Sequence, residues 1–384
     1  MNLITRSVLV LVISALTYFY IQTNKQLEVK PIMSATKTHR SILKHFIPTF
    51  RSEGVGAKVR RSIGVPEMQK FSPFVMLDHF YVKAPAGFEQ HPHHGQETIT
   101  LLLDNYMAHE DFTGSKGILR PGDLQFMTAG KGVVHSEIPV IMSTNDRPAQ
   151  GMQLWVALPK ELINCQPRYR DLRNEEIPIV KPYDNDGKKL TIKVISGESY
   201  DVTSVQDLAY TPVVYYQYNS YRKGTKFVQE VDPKMNCFIY VKEGSIKIKD
   251  TIYATNSAIF FNPDGDLIEG EIATEDAEET ELFIIAGQIL DQEIVQYGPF
   301  IDISEQKIYE TFRNYQQGIN GFENIRSWSS VIDKGVDEEL AKKWLSKDGY
   351  EFVPHNWFQV FVSPTNCGGE KNEASDNNFP HTRA

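Results

Sequence analysis

The sequence contains few cysteines and no excess of basic side chains. Its 384 residues include three cysteines, Cys165, Cys237 and Cys367, which lie far apart and form no CxxC pair. This argues against a disulfide framework or a zinc ribbon, and Cys165 and Cys237 are predicted to be small core residues. The formal net charge is −9. Because no basic stripe stands out from this acidic background, we expect no direct binding to nucleic acid.

Charge is also absent from a stretch near the N-terminus. Residues 7–24 follow Arg6 and carry no charged side chain. Their apolar part is short for a membrane span of about 20 residues, and aromatic residues at 18–20 stand where a cleaved signal needs small ones. We interpret 7–24 as a membrane anchor or uncleaved signal, which predicts a membrane-anchored, secretory or organellar protein. A cleaved signal and a helix without a targeting role stay open. In each case residues 1–45 are predicted to lie outside the fold.

Long amphipathic helical patterns are missing until late in the chain. Before that point the sequence shows short runs rich in aromatic and β-branched residues, such as "KFSPFVMLDHFYV" (70–82), "ETITLLL" (97–103) and "GMQLWVAL" (151–158). Turn residues separate these runs, among them the Pro-Gly-Asp sequence at 121–123. Many short strands with regular turns predict an all-β sandwich or barrel.

The β pattern occurs twice. "ETITLLLDNYMAHED" and "GILRPGDLQFMTAG" are echoed by "NCFIYVKEGSIKIKD" and "YATNSAIFFNPDGDLIEGEI". We therefore predict two β domains, at 46–175 and 176–325, followed by a partly disordered extension at 326–384. The second domain is predicted to include a C-terminal helix at 303–322 that ends at Gly321.

A concentration of histidines marks a candidate metal site. His91 and His93 are two residues apart, as are His135 and Glu137, so each pair faces one side of a strand. Two such strands in one barrel would offer three imidazoles and one carboxylate. This donor set suits Fe, Mn, Co, Ni, Cu or Zn better than Ca or Mg. His94 is predicted to face the opposite side. A single H-x-H pair is weak evidence, whereas H-x-H followed by H-x-E is much more specific.

These motifs resemble the pirin signature within the cupin superfamily. The likeness rests on "HPHHGQETIT", "MAHEDFTGSKG", "PGDLQFMTAGKGVVHSEIP" and "QLWVALP", and on "VQYGPFIDIS" and "NGFENIRSW" further on. It covers about residues 45–330. The resemblance implies a bicupin of two β-barrel or jelly-roll domains with short helices, in which only the N-terminal domain binds metal. The sequence fits this asymmetry, since it has no histidine between His135 and His355.

The resemblance also implies which residues bind the metal. Cupins in general use H-x-H-x₃-E, which would select Glu97, whereas pirins place their ligands where this chain has His91, His93, His135 and Glu137. Glu97 is then expected to orient a ligand imidazole. His109 and Glu110, in "MAHED", are expected on a surface hairpin.

Two functions follow from the resemblance. The first is a quercetin 2,3-dioxygenase-like activity, with O₂ and a flavonol or related small aromatic as substrates. Fe(II) is the expected metal, with Mn, Co, Ni, Cu and Zn as alternatives, and Glu137 is the expected general base. The alternative is an iron- and redox-dependent transcriptional co-regulator of the nucleus or cytoplasm, which binds protein partners without turnover. The intact ligand set argues against a metal-free structural protein.

Overall fold

The computed structural model describes residues 37–347 and 349, apart from 54–55, 144–146 and 206–207. The hydrophobic segment 7–24 and most of the predicted disordered tail lie outside the described residues. Within the described part of the chain, no helix is both long enough and apolar enough to cross a membrane.

The described chain consists mostly of short strands. The strands before residue 175 are β1 (Ile42–Phe46), β2 (Phe50–Ser52), β3 (Ala57–Ile63), β4 (Phe74–Val82), β5 (Phe88–His93), β6 (Gln96–Asp104), β7 (Met107–Asp111), β8 (Lys116–Leu119), β9 (Leu124–Thr128), β10 (Val133–Ile141), β11 (Ala149–Ala157) and β12 (Arg168–Leu172). The later strands are β13 (Ile179–Val180), β14 (Thr191–Ser196), β15 (Glu198–Ser199), β16 (Val202–Thr203), β17 (Val213–Ser220), β18 (Lys226–Glu230), β19 (Met235–Glu243), β20 (Ser245–Ile248), β21 (Thr251–Ala254), β22 (Ala258–Phe261), β23 (Leu267–Ile272), β24 (Thr280–Gln288), β25 (Val295–Tyr297), β26 (Phe300–Asp302) and β27 (Val336–Asp337).

The strands form two barrels, each made of a large and a small sheet. In the first barrel the large sheet has the order β12-β9-β6-β11-β4-β3-β2, and the small sheet has the order β27-β10-β7-β8 with β5 paired to β10. In the second barrel the orders are β1-β22-β19-β24-β17-β14-β13 and β18-β23-β20-β21. The predicted all-β architecture with two barrel domains is confirmed.

The two large sheets share one apolar layer. It combines side chains such as Phe74 and Leu154 of the first barrel with Phe238 and Phe283 of the second. Alternate residues of each strand point to opposite faces, so the other face of each large sheet is free to line its own barrel. Burying a side chain of this size contributes about 1.5–3 kcal/mol to stability, and this layer therefore fixes the barrels against each other. Cys237 is buried in the second barrel as predicted, whereas Cys165 is half-buried.

The prediction that residues up to 45 lie outside the fold is wrong for 37–45. β1 pairs antiparallel with β22 and adds an edge strand to the large sheet of the second barrel. Arg40 is buried, and its guanidinium donates hydrogen bonds to the carbonyl oxygens of Gly265, Met235 and Asp232. The partners of this segment lie about two hundred residues away in sequence, so no local pattern reveals them.

Among the residues that the structure describes, helices occur only at a few connections and near residue 347. The α-helices are α1 (Glu305–Gln317) and α2 (Glu338–Lys347), and the 3₁₀ helices span Asn174–Glu176, Glu323–Arg326 and Ile332–Lys334. α1 is the predicted C-terminal helix of the second domain. It ends at Gly318 rather than at Gly321, because Gly318 adopts the left-handed conformation (φ +64°) that closes a helix. The predicted extension is folded as far as 347 and packs on the first barrel.

Candidate metal centre

The strands β5 and β10 carry the predicted ligands. They pair antiparallel, with His91 opposite His135 and His93 opposite Val133. The register shifts between His135 and Glu137, so that Glu137 lies opposite Phe88. Because residues two apart share a face, this pairing directs three imidazoles to the same side of the small sheet.

The three histidines form a compact group. One ring nitrogen of each lies within 4.8 Å of the others. The Nε2 atoms of His91 and His135 are 2.9 Å apart, and the His93 ring centroid lies 5.0 Å and 4.9 Å from those of His91 and His135. It is the only such group of histidine, cysteine or carboxylate side chains found between residues 37 and 349, apart from the stretches not described.

The spacing fits a transition metal. Two nitrogen ligands that bind one ion at about 2.1 Å and at a right angle lie about 3.0 Å apart, which agrees with the His91–His135 distance. The Nδ1–H of His91 donates to the carbonyl oxygen of Glu89 (2.8 Å), which leaves its Nε2 lone pair available. The buried Nε2 of His93 has no hydrogen-bond partner. Buried polar atoms are rarely left unpaired, so this atom fits a ligand role.

The environment keeps the imidazoles neutral. Burial lowers the pKa of His91, and it lowers the pKa values of His93 and His135 well below the usual range. For His135 the neighbouring imidazoles add to this effect. A metal binds the neutral ring, so the three side chains are in the ligating form at neutral pH.

Glu137 lies at the edge of the histidine group. Its Oε2 atom is 4.0 Å from Nε2 of His135, and its Oε1 atom is 3.3 Å from the hydroxyl of Thr100. Burial raises the pKa of Glu137 to about 7, although His109 and the Thr100 hydroxyl oppose the shift. A carboxyl group with this pKa can hold and release a proton near neutral pH.

A cavity of about 650 Å³ opens beside the group. His91 and Glu137 lie in its wall, next to apolar side chains that include Phe80, Phe88 and Trp155. The wall also contains Arg61, whose guanidinium forms two hydrogen bonds to Asp78 (2.7 and 2.6 Å). The volume is in the range typical of small-molecule sites.

Comparisons with known proteins agree with this architecture. A family model described as Pirin matches residues 56–156, and one described as Pirin C-terminal cupin domain matches residues 218–321. Human pirin is 38% identical over 288 residues, which cover 73% of this chain and 94% of the human protein. The chain belongs to the pirin family. The predicted resemblance is thereby confirmed.

Other members of the family and its solved structures extend the match. A pirin-like protein of Solanum lycopersicum is 37% identical over 294 residues, covering 76% of this chain and 96% of that protein. The crystal structure of quercetin 2,3-dioxygenase from Acinetobacter baumannii superposes with a TM-score of 0.64 at 25% identity, covering 73% of this chain and 98% of that one. The likeness therefore spans both barrels of the pirin fold.

The role predicted for Glu97 in this pirin is wrong. Among the described residues, no hydrogen bond or ion pair is found between Glu97 and the three histidines. It accepts hydrogen bonds from the hydroxyl of Thr128 (2.7 Å) and from the backbone N–H groups of Tyr210 and Thr211 (2.9 and 3.0 Å). Its carboxylate therefore links the first barrel, through hydrogen bonds, to the segment that leads into β17.

Gln96, rather than Glu97, contacts one of the candidate ligand histidines. Its side-chain amide is hydrogen-bonded to Nδ1 of His93 (2.7 Å) and donates to the carbonyl oxygen of Pro299 (2.9 Å). The alternation of side chains between the two faces of the sheet shifts by one residue at Gly95, which has φ +71°. Gly95 lies so close to Ile301 that a Cβ at this position would fall 1.9 Å from the carbonyl oxygen of Ile301. A glycine directly after the histidines is the sequence signal that could have indicated this shift, because glycine readily adopts the positive φ found here.

His94 and His109 have partners away from the three-histidine group. His94 is hydrogen-bonded to the carbonyl oxygen of Lys131 (3.0 Å) and lies 3.4 Å from the carboxylate of Asp302, as its alternation with His93 predicts. His109 is buried rather than on a surface hairpin, and lies opposite Glu137 in the pairing of β7 with β10. Burial lowers the pKa of His109, but Asp171 at 3.1 Å outweighs burial, and the net shift is upward.

The second barrel holds two histidines that the sequence placed outside the fold. His39 contacts Glu269 (2.8 Å), and His45 contacts Ser257 (3.2 Å). Both come from the segment around β1. They belong to no group of three candidate ligands among the described residues.

Replacing Glu97 by glutamine should reduce stability without reducing metal content. The amide group would present an N–H toward the N–H groups of Tyr210 or Thr211, so at least one buried donor would lose its acceptor. We expect a loss of about 2 kcal/mol in the free energy of unfolding, measured by denaturant titration. Metal content should match that of the wild type. A metal-free but fully stable variant would contradict this assignment and favour the general cupin pattern.

Proposed function

We propose that this chain is a metal-dependent dioxygenase, with Fe(II) as its metal, that acts on quercetin-type flavonols or a related small aromatic. One observation carries the proposal: three imidazoles, of which those of His93 and His135 are buried, converge beside a carboxyl group on the wall of a cavity of about 650 Å³. The family membership and the quercetin dioxygenase among the similar structures support the same chemistry.

Four residues would hold the metal: His91, His93, His135 and Glu137. The metal, when bound, would supply a positive charge that acidifies a coordinated hydroxyl, and a redox centre for reaction with O₂. Glu137 would accept the proton of the substrate hydroxyl, since its carboxyl group lies in the cavity wall beside the histidine group. Gln96 would hold the ring of His93 in orientation through its hydrogen bond to Nδ1.

The walls of the cavity suit a flat aromatic substrate. Phe80, Phe88 and Trp155 supply apolar surface, and the indole of Trp155 stands edge-on to His93 at a centroid distance of 5.0 Å. Arg61 and Asp78 provide polar groups on the same wall. A ligand with an aromatic body and several hydroxyl groups would match both kinds of contact.

The purified full-length protein, loaded with Fe(II), should consume O₂ in the presence of quercetin and release CO. An oxygen electrode, a CO assay and elemental analysis of the same sample would measure this, with about one metal ion expected per chain. Protein treated with a chelator is the control, and reloading it should restore turnover. Metal binding without O₂ uptake would contradict the proposed enzyme and would favour the alternative, a redox-dependent regulator that binds protein partners.

A further inference from the structure

The C-terminal segment 330–347 covers the outer face of the strand that carries His135 and Glu137. β27 pairs in parallel with the end of β10, with Val336 opposite Val140. Ala341, Trp344 and Leu345 of α2 pack with Ile138 and other apolar residues of β7, β8 and β10. On β10 the residues that face this segment alternate with the residues that face the histidine group. The strand is therefore held between the candidate metal centre on one side and the C-terminal segment on the other.

Two polar residues on that outer face fix the start of the segment. Ser136 and Glu110 lie opposite each other in the pairing of β10 with β7, and both are buried. One oxygen of Glu110 accepts hydrogen bonds from the Ser330 hydroxyl (2.8 Å) and from the backbone N–H groups of Val331 and Ile332. Glu110, expected on a surface hairpin, is thus the docking point of the C-terminal segment.

Asp333 joins the two strands that carry the histidines. Its Oδ1 atom accepts a hydrogen bond from the hydroxyl of Ser136 on β10 (2.6 Å), and its Oδ2 atom accepts one from the backbone N–H of Gln90 on β5 (3.4 Å). Ser136 and Gln90 directly adjoin His135 and His91, the pair that faces each other in the register. Within the described residues β5 pairs with no strand other than β10. The contacts of Asp333 therefore give β5 and β10 a second connection beyond their backbone hydrogen bonds.

We propose that Asp333 is a positioning residue for the metal centre, through which ligation by His91 and His135 and docking of the segment 330–347 stabilise each other. The inference rests on the proposed metal site. When the carboxylate holds both strands, the two imidazoles keep the spacing that a metal requires. Since energetic coupling between two sites is reciprocal, a bound metal that fixes the strands should in turn hold the C-terminal segment in place.

The test uses the full-length chain and Co(II), whose visible absorption reports the geometry of its ligands. Asp333→Ala removes both acceptor oxygens, so the Ser136 hydroxyl and the backbone N–H of Gln90 both lose their contact with the C-terminal segment. We expect it to weaken Co(II) binding about tenfold and to alter the Co(II) spectrum. Ser136→Ala removes only one of the two contacts and should have a smaller effect of the same kind. Asp337→Ala is the matched control, because it removes a carboxylate of the same segment whose hydrogen bond goes to the N–H of Leu340 rather than to β5 or β10.

Hydrogen exchange gives the reciprocal measurement. Adding Co(II) to the wild type should slow amide exchange in the segment 330–347 and leave exchange in β17 of the second barrel unchanged, and Asp333→Ala should lose this protection. Unaltered Co(II) affinity in Asp333→Ala, or an equal loss in Asp337→Ala, would overturn the inference while leaving the metal site intact. A wild-type chain that binds no Co(II) would overturn the metal site and this inference together.

Discussion

Replacing both His93 and His135 by alanine should lower the bound metal from about one ion per chain to nearly none, and should abolish O₂ uptake with quercetin. Two of the three converging imidazoles would be lost, and His91 with Glu137 would leave too few donors to compete with water. Elemental analysis after gel filtration would measure the metal content. Circular dichroism would show that the β fold persists.

His39→Ala is the matched control for this double variant. His39 belongs to the second barrel, contacts Glu269, and is half-exposed, so its loss should leave both metal content and turnover at the wild-type level. Two outcomes would contradict the assignment: metal retained by the double variant, or a wild-type content near two ions per chain.

Glu137→Gln should reduce turnover far more than it reduces metal content. An amide oxygen can still occupy a coordination position, although more weakly, but it cannot take a proton near neutral pH. General-base catalysis of this kind typically contributes about 10²–10⁴-fold to the rate, so we expect kcat to fall by a factor in this range. Steady-state kinetics together with elemental analysis of the same preparation would separate the two effects.

Glu97→Gln serves as the comparison for the Glu137 variant. Both substitutions replace a buried carboxylate by an amide in the first barrel, Glu97 in its large sheet and Glu137 in its small sheet. Glu97, however, contacts Thr128 and the backbone at 210–211 rather than the histidines. If Glu97→Gln lost its metal while Glu137→Gln kept both metal and turnover, the ligand assignment would be wrong.

The sequence predicted the grouping of the histidines because strand alternation is a local property. His91 and His93 share a face whatever the rest of the chain does, and the same is true of His135 and Glu137. Repeated short strands with turn residues between them were equally sufficient to predict two β domains, and the resemblance to pirins implied that both are barrels or jelly rolls. In both cases the information lies within a few residues.

The features that the sequence did not predict depend on a one-residue shift in strand alternation or on contacts between residues far apart in the chain. Gly95 changes the alternation between β5 and β6, so Gln96 rather than Glu97 approaches His93. His109 faces Glu137 only because β7 pairs with β10 in one particular register. The contacts of Arg40 and Asp333 join parts of the chain that lie about two hundred residues apart or more. No periodicity in the sequence encodes such pairings.

The position of β1 decides where this protein can be shortened without harm. A fragment that started at the predicted domain boundary, residue 46, would lose the outermost strand of the second barrel together with Arg40. β22, which contains Phe260 and Phe261, would then expose an unpaired edge. The carbonyl groups at 232, 235 and 265 would also lose the guanidinium that donates to them. Open edges of this kind recruit other strands and promote aggregation. An expression fragment should therefore begin before Lys37, and poor solubility of a shorter one would say nothing about the metal-bearing barrel.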